Sequence, residues 1–256
     1  MAIKSPHNTA LIIIFFAIIG TVVALFYIMQ VYSNPSGDAQ TTDAQNSVAT
    51  HETTDSSSGY SASTTSPPKV LLLPVPMTAQ APSGNWDQLH NEACEEANAI
   101  MADAYFTSHG NLDPKYVESE ITKLTDWQDQ NFGYHLDTTA AETAKMIEQV
   151  YGLKTNLVNN FTADDLKQAL LKNQLIIISE NGRLLNNPNY KRPGPIHHML
   201  LVKGYNDAGF ITNDSGTKRG LNYFYTFDTL KTAAADWDHD TNTVNENKKV
   251  AIVVGK

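Results

Sequence analysis

The single cysteine of this 256-residue chain, Cys94, lies at the predicted start of a helix. Unpaired backbone N–H groups and the helix dipole at such a position favour a thiolate over a thiol. The adjacent Glu95 and Glu96 act in the opposite direction, because their charges repel a further negative charge. A cationic partner, most simply a histidine, is therefore needed to make the thiolate available near neutral pH. The alternative is that Cys94 is a small buried core residue.

Histidine and aspartate occur together in the segment PIHHMLLVKGYNDAGFITNDSG. A histidine at the mouth of a strand and an aspartate on the adjoining strand are the two remaining members of a Cys-His-Asp triad. His197 and His198 face opposite sides of the sheet, so the pair itself leaves the base open. A strict hairpin loop at 206–209 puts Asp214 on the face of His197, whereas one bulged residue moves it to the face of His198. The Gly204-Tyr205 corner is the predicted place for such a bulge.

Three segments carry a resemblance to a known family. VPMTAQ, ACEEA and HMLLVKGYNDAGFITND occur in the order and with the spacing of the peptidase domains of double-glycine leader peptidases, the bacteriocin-processing type, and their stand-alone relatives. These belong to the papain-like superfamily, and the resemblance extends over residues 75–214. It implies a papain-like fold with the cysteine helix packed on an antiparallel sheet. It also implies a cysteine peptidase that hydrolyses peptide bonds through a thioester acyl-enzyme.

The resemblance also assigns roles to residues. The family's histidine lies six residues before the glycine of the Gly-Tyr corner, which selects His198 as the base and keeps His197 as the alternative. Cys94 is then the nucleophile, and Asp214 is the acid that orients the base.

One glutamine is assigned to oxyanion stabilisation by the same resemblance. Gln80 ends VPMTAQ and matches the family residue that helps to hold the tetrahedral oxyanion, while Gln88 is the alternative. Loss of one such donor costs about 2.7 to 4 kcal/mol in comparable sites.

Apolar periodicity and turn residues predict the elements that would hold these side chains. Helices are predicted in EACEEANAIMADAYFTS with Asn91 as cap, after Pro114, at 137–151 with Gly152 as stop, and in TADDLKQALLKN. Strands are predicted at 175–179, 197–205, 209–214, near Tyr223 and in the final VAIVVG, with a short helix in FDTLKTAAADW. Helices first and antiparallel strands later indicate an α+β domain.

An uncharged apolar run at 10–31 has about the ~20 residues needed to cross a bilayer. A cleaved signal peptide is the rival, but its apolar region is typically only about 7 to 15 residues. An uncleaved transmembrane anchor is therefore preferred. Lys4 precedes the run and no further Lys or Arg occurs before Lys69, so the flanking charge places the N-terminus in the cytoplasm. The prediction is a single-pass cell-membrane protein with an extracytoplasmic domain.

Composition divides the chain into three parts. The membrane anchor covers 1–33, and a Ser/Thr-rich flexible linker covers 34–68, where large apolar residues are too few to offset the entropy of folding. The peptidase domain covers 69–256 and begins with VLLLPVP, whose prolines suit an edge strand.

Charge and cysteine content exclude several classes of partner. The net charge of −9 and the absence of a Lys/Arg-rich run argue against nucleic acid. One cysteine excludes an intrachain disulfide and a zinc site built on several thiolates. The segment DWDHDTNTVNEN has Thr241 and Asn247 where a calcium loop needs glycine and glutamate, so it is interpreted as solvated surface. No metal or cofactor is expected, and the expected partners are a peptide or protein substrate and the membrane.

Two other functions suit the same fold. A catalytically inactive module that binds peptides or proteins is suggested by the acidic pair beside Cys94. An amidase or acyltransferase would use the same triad. For the peptidase, the polar, basic loop at 181–196, immediately before the histidine pair, is a candidate wall of the substrate cleft, and an ordinary surface loop is the alternative.

Overall fold

The computed structural model describes residues 67–256. The predicted transmembrane helix at 10–31 and the predicted linker up to residue 66 lie outside the described residues. Among residues 67–256, no helix combines the length and the apolar character that a membrane span requires.

The described residues form an α+β domain, as predicted. The helices are α1 (Gln88–Asn91), α2 (Cys94–Thr107), α3 (Pro114–Asn131), α4 (Ala140–Tyr151), α5 (Ala163–Leu171) and α6 (Phe227–Ala233). The strands are β1 (Leu71–Leu72), β2 (Lys154–Asn159), β3 (Leu175–Glu180), β4 (His198–Tyr205), β5 (Gly209–Asn213), β6 (Tyr223–Thr226), β7 (Asp236–Asp238), β8 (Thr243–Asn245) and β9 (Val250–Gly255). Seven strands form one antiparallel sheet in the order β2-β9-β3-β4-β5-β6, with β1 paired to β4, and β7 and β8 form a separate hairpin.

Capping residues explain where the predicted helices begin and end. Thr139 and Thr162 each form a capping box at the start of α4 and α5, and Gly152 ends α4 in the left-handed conformation. The predicted cap of the cysteine helix is wrong. Asn91 instead ends the separate helix α1, and α2 begins after Ala93 without a side-chain cap.

The sequence did not predict β2 or the β7–β8 hairpin, whose strands have few apolar positions in alternation. Strand β2 pairs with β9 along its whole length, although its sequence KTNLVN is mostly polar and exposed at the sheet edge. The acidic segment interpreted as solvated surface contributes to the β7–β8 hairpin, whose three-residue strands are too short to show a period. Trp237 of β7 is nevertheless buried, so this hairpin covers part of the domain.

A register shift between β4 and β5 confirms the predicted bulge. Leu201 pairs with Asn213, but Gly204 pairs with Ile211, which leaves one extra residue between Val202 and Gly204. The bulged residue is therefore Lys203, just before the predicted corner. Beyond the last pair, the register carries residue 214 opposite residue 200, on the face that His198 shares.

The cysteine helix is the buried centre of the domain. All residues of α2 from Cys94 to Ala102 are buried, and the helix packs against α3, α4 and β4. The side chain of Asn98 links helix and sheet, because its Nδ2 donates both to the Cys94 carbonyl at 2.8 Å and to the Met199 carbonyl at 2.7 Å. The start of α2 is thereby held beside the start of β4.

A glycine is required at position 204, because the backbone of β1 lies against it where β1 pairs with β4. A Cβ at this position would lie 2.4 Å from the Leu71 carbonyl oxygen and 3.0 Å from Leu72 Cα. We expect Gly204→Ala to lower the free energy of unfolding by about 1 to 3 kcal/mol, because backbone atoms must move. Urea denaturation measures this. The control is Gly110→Ala, whose added Cβ would meet nothing within 4 Å, and equal midpoints for the two variants would contradict the prediction.

Candidate active site

Cys94 is the first residue of α2 and is nearly inaccessible, with 3% of its surface exposed. Its Sγ donates to Glu95 Oε2 at 3.0 Å. Burial and the neighbouring Glu95 carboxylate raise the pKa of the Cys94 thiol well above its usual range. The expected effect of the helix terminus is therefore outweighed, and the thiol is protonated in this conformation.

His197 lies on the same side as Cys94, within a cluster of polar side chains. One donor atom each from Cys94, Glu95 and His197 lies within 4.8 Å of the other two. The Nδ1 of His197 is 2.9 Å from Asp137 Oδ1 and 3.5 Å from Glu95 Oε1, and its Nε2 is 3.0 Å from Ser179 Oγ. Burial alone would lower the pKa of His197, but Asp137 and Glu95 raise it, so the imidazole is the cation of this cluster.

The cluster carries more acid than base. Burial and the charges of Asp137 and Glu95 raise the pKa of Glu92 to about 7, and burial together with Glu95 raises that of Glu96 to about 8. No salt bridge among residues 67–256 brings a Lys or Arg side chain to these carboxylates. Among residues 67–256, His197 is therefore the one positive side chain paired with them, and the raised pKa values of Glu92, Glu95 and Glu96 reduce the negative charge of the cluster.

His198 lies on the opposite face and pairs with Asp214. The distance from His198 Nε2 to Asp214 Oδ1 is 3.0 Å, and both side chains are buried. The Asp214 carboxylate also accepts hydrogen bonds from Tyr225 Oη at 2.6 Å, Tyr190 Oη at 2.7 Å, Asn187 Nδ2 at 3.0 Å and Gly216 N at 3.1 Å. Burial would raise the pKa of Asp214, but His198 and these donors lower it, so the acid is a fixed anion.

The two histidines differ in whether a ring nitrogen is left without a hydrogen-bond partner among the described residues. Both ring nitrogens of His197 have partners, Asp137 on Nδ1 and Ser179 on Nε2. His198 is bonded to Asp214 through Nε2, and its Nδ1 makes no hydrogen bond among the described residues. His198 therefore has the form of a general base, with one nitrogen oriented by a carboxylate and the other available.

Both histidines line one cleft of about 1110 Å³. The loop predicted as a cleft wall contributes residues 188–196 to its lining, and residues 216–219 form a further part. Two of the cleft residues are tryptophans, Trp86 and Trp237. A cleft of this size, with aromatic and polar lining beside a histidine–aspartate pair, has the character of a ligand-binding site.

Comparison with known proteins identifies the family. The model of the peptidase C39-like family matches residues 72–244. The chain belongs to this family. Membership supports a peptidase of the cysteine type with peptide or protein substrates, and it confirms the resemblance drawn from the three sequence segments. A solved structure described as a C39-like peptidase from Bacillus anthracis matches with 13% identity over 74% of this chain and 98% of that chain, at a TM-score of 0.47. No curated protein matches.

The two glutamines considered for the oxyanion have different positions in this C39-like domain. Gln80 is buried at the cleft, where its backbone N–H donates to the Ser215 carbonyl at 2.9 Å. Its Nε2 donates to the carbonyls of His90 and Asn91, each at 2.9 Å. An oxyanion role therefore requires one of these bonds to be exchanged. Gln88 is exposed on α1.

Several site residues were not found from the C39-like sequence. Asp137 was noted only as the start of a predicted helix, and Asn187, Tyr190 and Tyr225 had no assigned role. Their contacts with His197 or Asp214 join positions 11 to 60 residues apart. No short motif encodes such contacts. The alternation of β6 indicates which face Tyr225 shares, but it does not indicate the partner.

A buried carboxyl group lies behind the histidine–aspartate pair. Glu180 of β3 pairs in register with His198, is 0% exposed and has neither carboxylate oxygen hydrogen-bonded among the described residues. Burial and then the charge of Asp214 raise its pKa well above the ordinary value. The group is therefore protonated in the folded chain at neutral pH.

This protonation predicts a pH-dependent cost. Above the unfolded pKa of 4.5, the unfolded chain releases a proton that folded Glu180 retains, so stability falls as pH rises. Glu180→Gln removes this cost. We expect its gain in unfolding free energy over wild type to grow by on the order of 1 kcal/mol from about pH 5 to pH 8, as measured by denaturant titration. The exposed Glu246→Gln serves as the control, and a gain independent of pH would contradict the argument.

Proposed function

We propose that this domain is a cysteine peptidase that hydrolyses peptide bonds with Cys94 as nucleophile, His198 as general base and Asp214 as the acid that orients it. The observation that carries the proposal is the 3.0 Å contact of His198 Nε2 with the buried Asp214, which leaves Nδ1 available beside the cleft. His197 is the poorer base, because Asp137 and Ser179 occupy its two nitrogens.

The reaction begins with movement of the thiol. Sγ of Cys94 leaves Glu95 and comes within reach of His198 Nδ1, which takes the thiol proton. The thiolate attacks the carbonyl carbon of the substrate, and the tetrahedral intermediate collapses to a thioester as the amine leaves with the proton from His198. Water, deprotonated by His198, then hydrolyses the thioester to release the acid. Asp214 stabilises the imidazolium in both halves.

The oxyanion is held by the backbone N–H of Cys94 and by Gln80 in this proposal. The supporting observation is that Gln80 lines the cleft and is fixed to the segment after Asp214 through the Ser215 carbonyl. When substrate binds, one N–H of Gln80 Nε2 gives up its hydrogen bond to the Asn91 or His90 carbonyl and donates to the oxyanion instead. The exchange conserves the number of hydrogen bonds, so its cost is small compared with an unpaired donor.

The two histidines give a direct test of this assignment. Cys94→Ala and His198→Gln should each lower kcat/KM for a peptide substrate by about 10⁴-fold or more, because they remove members of one catalytic unit. Cys94→Ala should leave the thermal midpoint nearly unchanged. Asp214→Asn should lower kcat/KM by about 10²- to 10⁴-fold, because an asparagine at this position favours the wrong tautomer of the His198 ring. Peptide hydrolysis is followed by mass spectrometry of both product termini.

His197→Gln is the matched comparison, since it is the same substitution at the adjacent position. If His197→Gln abolishes hydrolysis and His198→Gln does not, the base has been assigned to the wrong residue. Severe unfolding of Cys94→Ala would instead identify the cysteine as a core residue.

A second candidate is a peptide-binding module without catalysis. The hydrogen bond from Cys94 Sγ to Glu95 and the burial of the thiol favour it. This module would bind peptides in the cleft with equal affinity in wild type and Cys94→Ala and release no products. An amidase or acyltransferase would use the same triad, and an added amine would then appear in the product as an amide.

We further propose that the domain is held outside the cytoplasmic membrane by an uncleaved helix at 10–31. The support is the length and apolar character of that segment and the position of Lys4. The full-length chain should remain in the membrane pellet after alkaline extraction, and protease added to intact spheroplasts should remove the domain. Recovery in the soluble fraction, with an N-terminus after residue 31, would show a cleaved signal peptide instead.

A further inference from the structure

The cluster around Cys94 contains the donors of a metal site. Sγ of Cys94, a carboxylate oxygen of Glu95 and a ring nitrogen of His197 lie within 4.8 Å of one another. Two donor pairs are closer, at 3.0 Å for Sγ to Glu95 Oε2 and 3.5 Å for His197 Nδ1 to Glu95 Oε1. Asp137 Oδ1 lies 2.9 Å from the same Nδ1. Ligand atoms around a tetrahedral Zn²⁺ are separated by about 3.5 Å, given Zn–S and Zn–N bonds of about 2.3 and 2.0 Å.

The surroundings of the cluster also resemble those of a metal site. Ser179 Oγ occupies His197 Nε2 at 3.0 Å, which favours the tautomer that presents Nδ1 to a metal. The backbone N–H of Thr138 donates to Glu95 Oε1 at 3.0 Å and orients that carboxylate. Hydrogen bonds of this kind, made to the side chains that bind a metal, fix the orientation and the tautomer of those side chains in proteins.

Charge gives the reason for a cation at this place. A thiolate and the carboxylates of Glu95 and Asp137 would carry three negative charges, and no Lys or Arg forms a salt bridge with them among residues 67–256. Buried charge of one sign is costly unless it is paired or coordinates a metal. Asp137 and His197 also line the cleft, which provides access from solvent.

We propose that Cys94, Glu95 and His197 bind Zn²⁺, with the fourth position open to water from the cleft, and that the bound ion holds the peptidase in an inactive state. The protons on Cys94 Sγ and His197 Nδ1 pass to solvent as the Zn–S and Zn–N bonds form. No oxidation state changes. The inhibitory part rests on the proposed function, because zinc removes the nucleophile from His198, whereas the binding part does not.

Cobalt spectroscopy tests the site independently of activity. The full-length chain, freed of metal with a chelator, is titrated with Co²⁺, and a thiolate-to-cobalt charge-transfer band is expected in the near ultraviolet, together with the intense visible bands of tetrahedral coordination. Zn²⁺ should displace Co²⁺ and abolish both. Wild type without a charge-transfer band would overturn the proposal.

Variants assign the ligands. Glu95→Gln and His197→Gln should weaken Zn²⁺ binding by more than about 100-fold, and Ser179→Ala, which removes a contact behind the ligand, by about 10- to 100-fold. His198→Gln is the matched control and should bind Zn²⁺ as wild type does. If His198→Gln loses the ion and His197→Gln keeps it, zinc binds the catalytic pair instead and the proposed site is wrong. Circular dichroism verifies folding, and Ser179→Ala keeps the test valid if His197→Gln unfolds.

Activity then separates this proposal from the previous one. Stoichiometric Zn²⁺ should suppress peptide hydrolysis by wild type, and a chelator should restore it. Full activity of the zinc-loaded chain would overturn the inhibitory role. If the metal-free chain hydrolyses no peptide, the proposed function fails, while the cobalt spectrum still decides whether the metal site exists.

Discussion

The arrangement of the site depends on one extra residue in β4. Lys203 is bulged between Val202 and Gly204, and this shift brings the end of β5 into register with the face of β4 that carries His198. Without it, strand alternation would direct Asp214 toward the other face. The bulge is also where the segment before the cysteine helix is attached, because Lys203 Nζ donates to the Val75 carbonyl at 3.0 Å. Hence the same irregularity brings Asp214 to the face of His198 and holds the chain that leads to Gln80.

Adjacent histidines at the mouth of one strand have different chemical environments. His198 faces a carboxylate fixed by two tyrosines and one asparagine, and its Nδ1 has no hydrogen-bond partner within residues 67–256. His197 faces the buried Glu95 and the partly exposed Asp137, and it neutralises part of their charge. Cys94 lies beside His197 and its carboxyl neighbours, and its Sγ donates a hydrogen bond to Glu95. The Cys94 thiol is therefore held protonated by burial and by Glu95, and the proposed reaction requires it to leave Glu95 for His198.

Much of the architecture was predictable because it depends on local chemistry. Apolar periodicity, glycine at a helix end, apolar runs such as LIIIS and the Gly-Tyr corner predicted five helices, six strands and the bulge, all of which are found within a few residues. Strand β2 was missed because its sequence is mostly polar and its partner β9 is distant in the chain. The β7–β8 hairpin was missed because its three-residue strands are too short to show a period. The cap of the cysteine helix was wrong, since the preceding residues form their own short helix stabilised by Asp87.

The sequence by itself determined which residues could react and in what order they occur: one thiol, two adjacent histidines and an aspartate at a family-like spacing. Its motifs were sufficient to indicate the peptidase family that the comparison then identified. Only the tertiary structure decided the surroundings of each group. The Cys94 thiol donates a hydrogen bond to Glu95, and Asp137 forms a hydrogen bond with His197 from another loop. Glu180 is buried and pairs in register with His198. Protonation depends on burial and on charges within a few ångströms, and both arise from contacts between segments far apart in the chain.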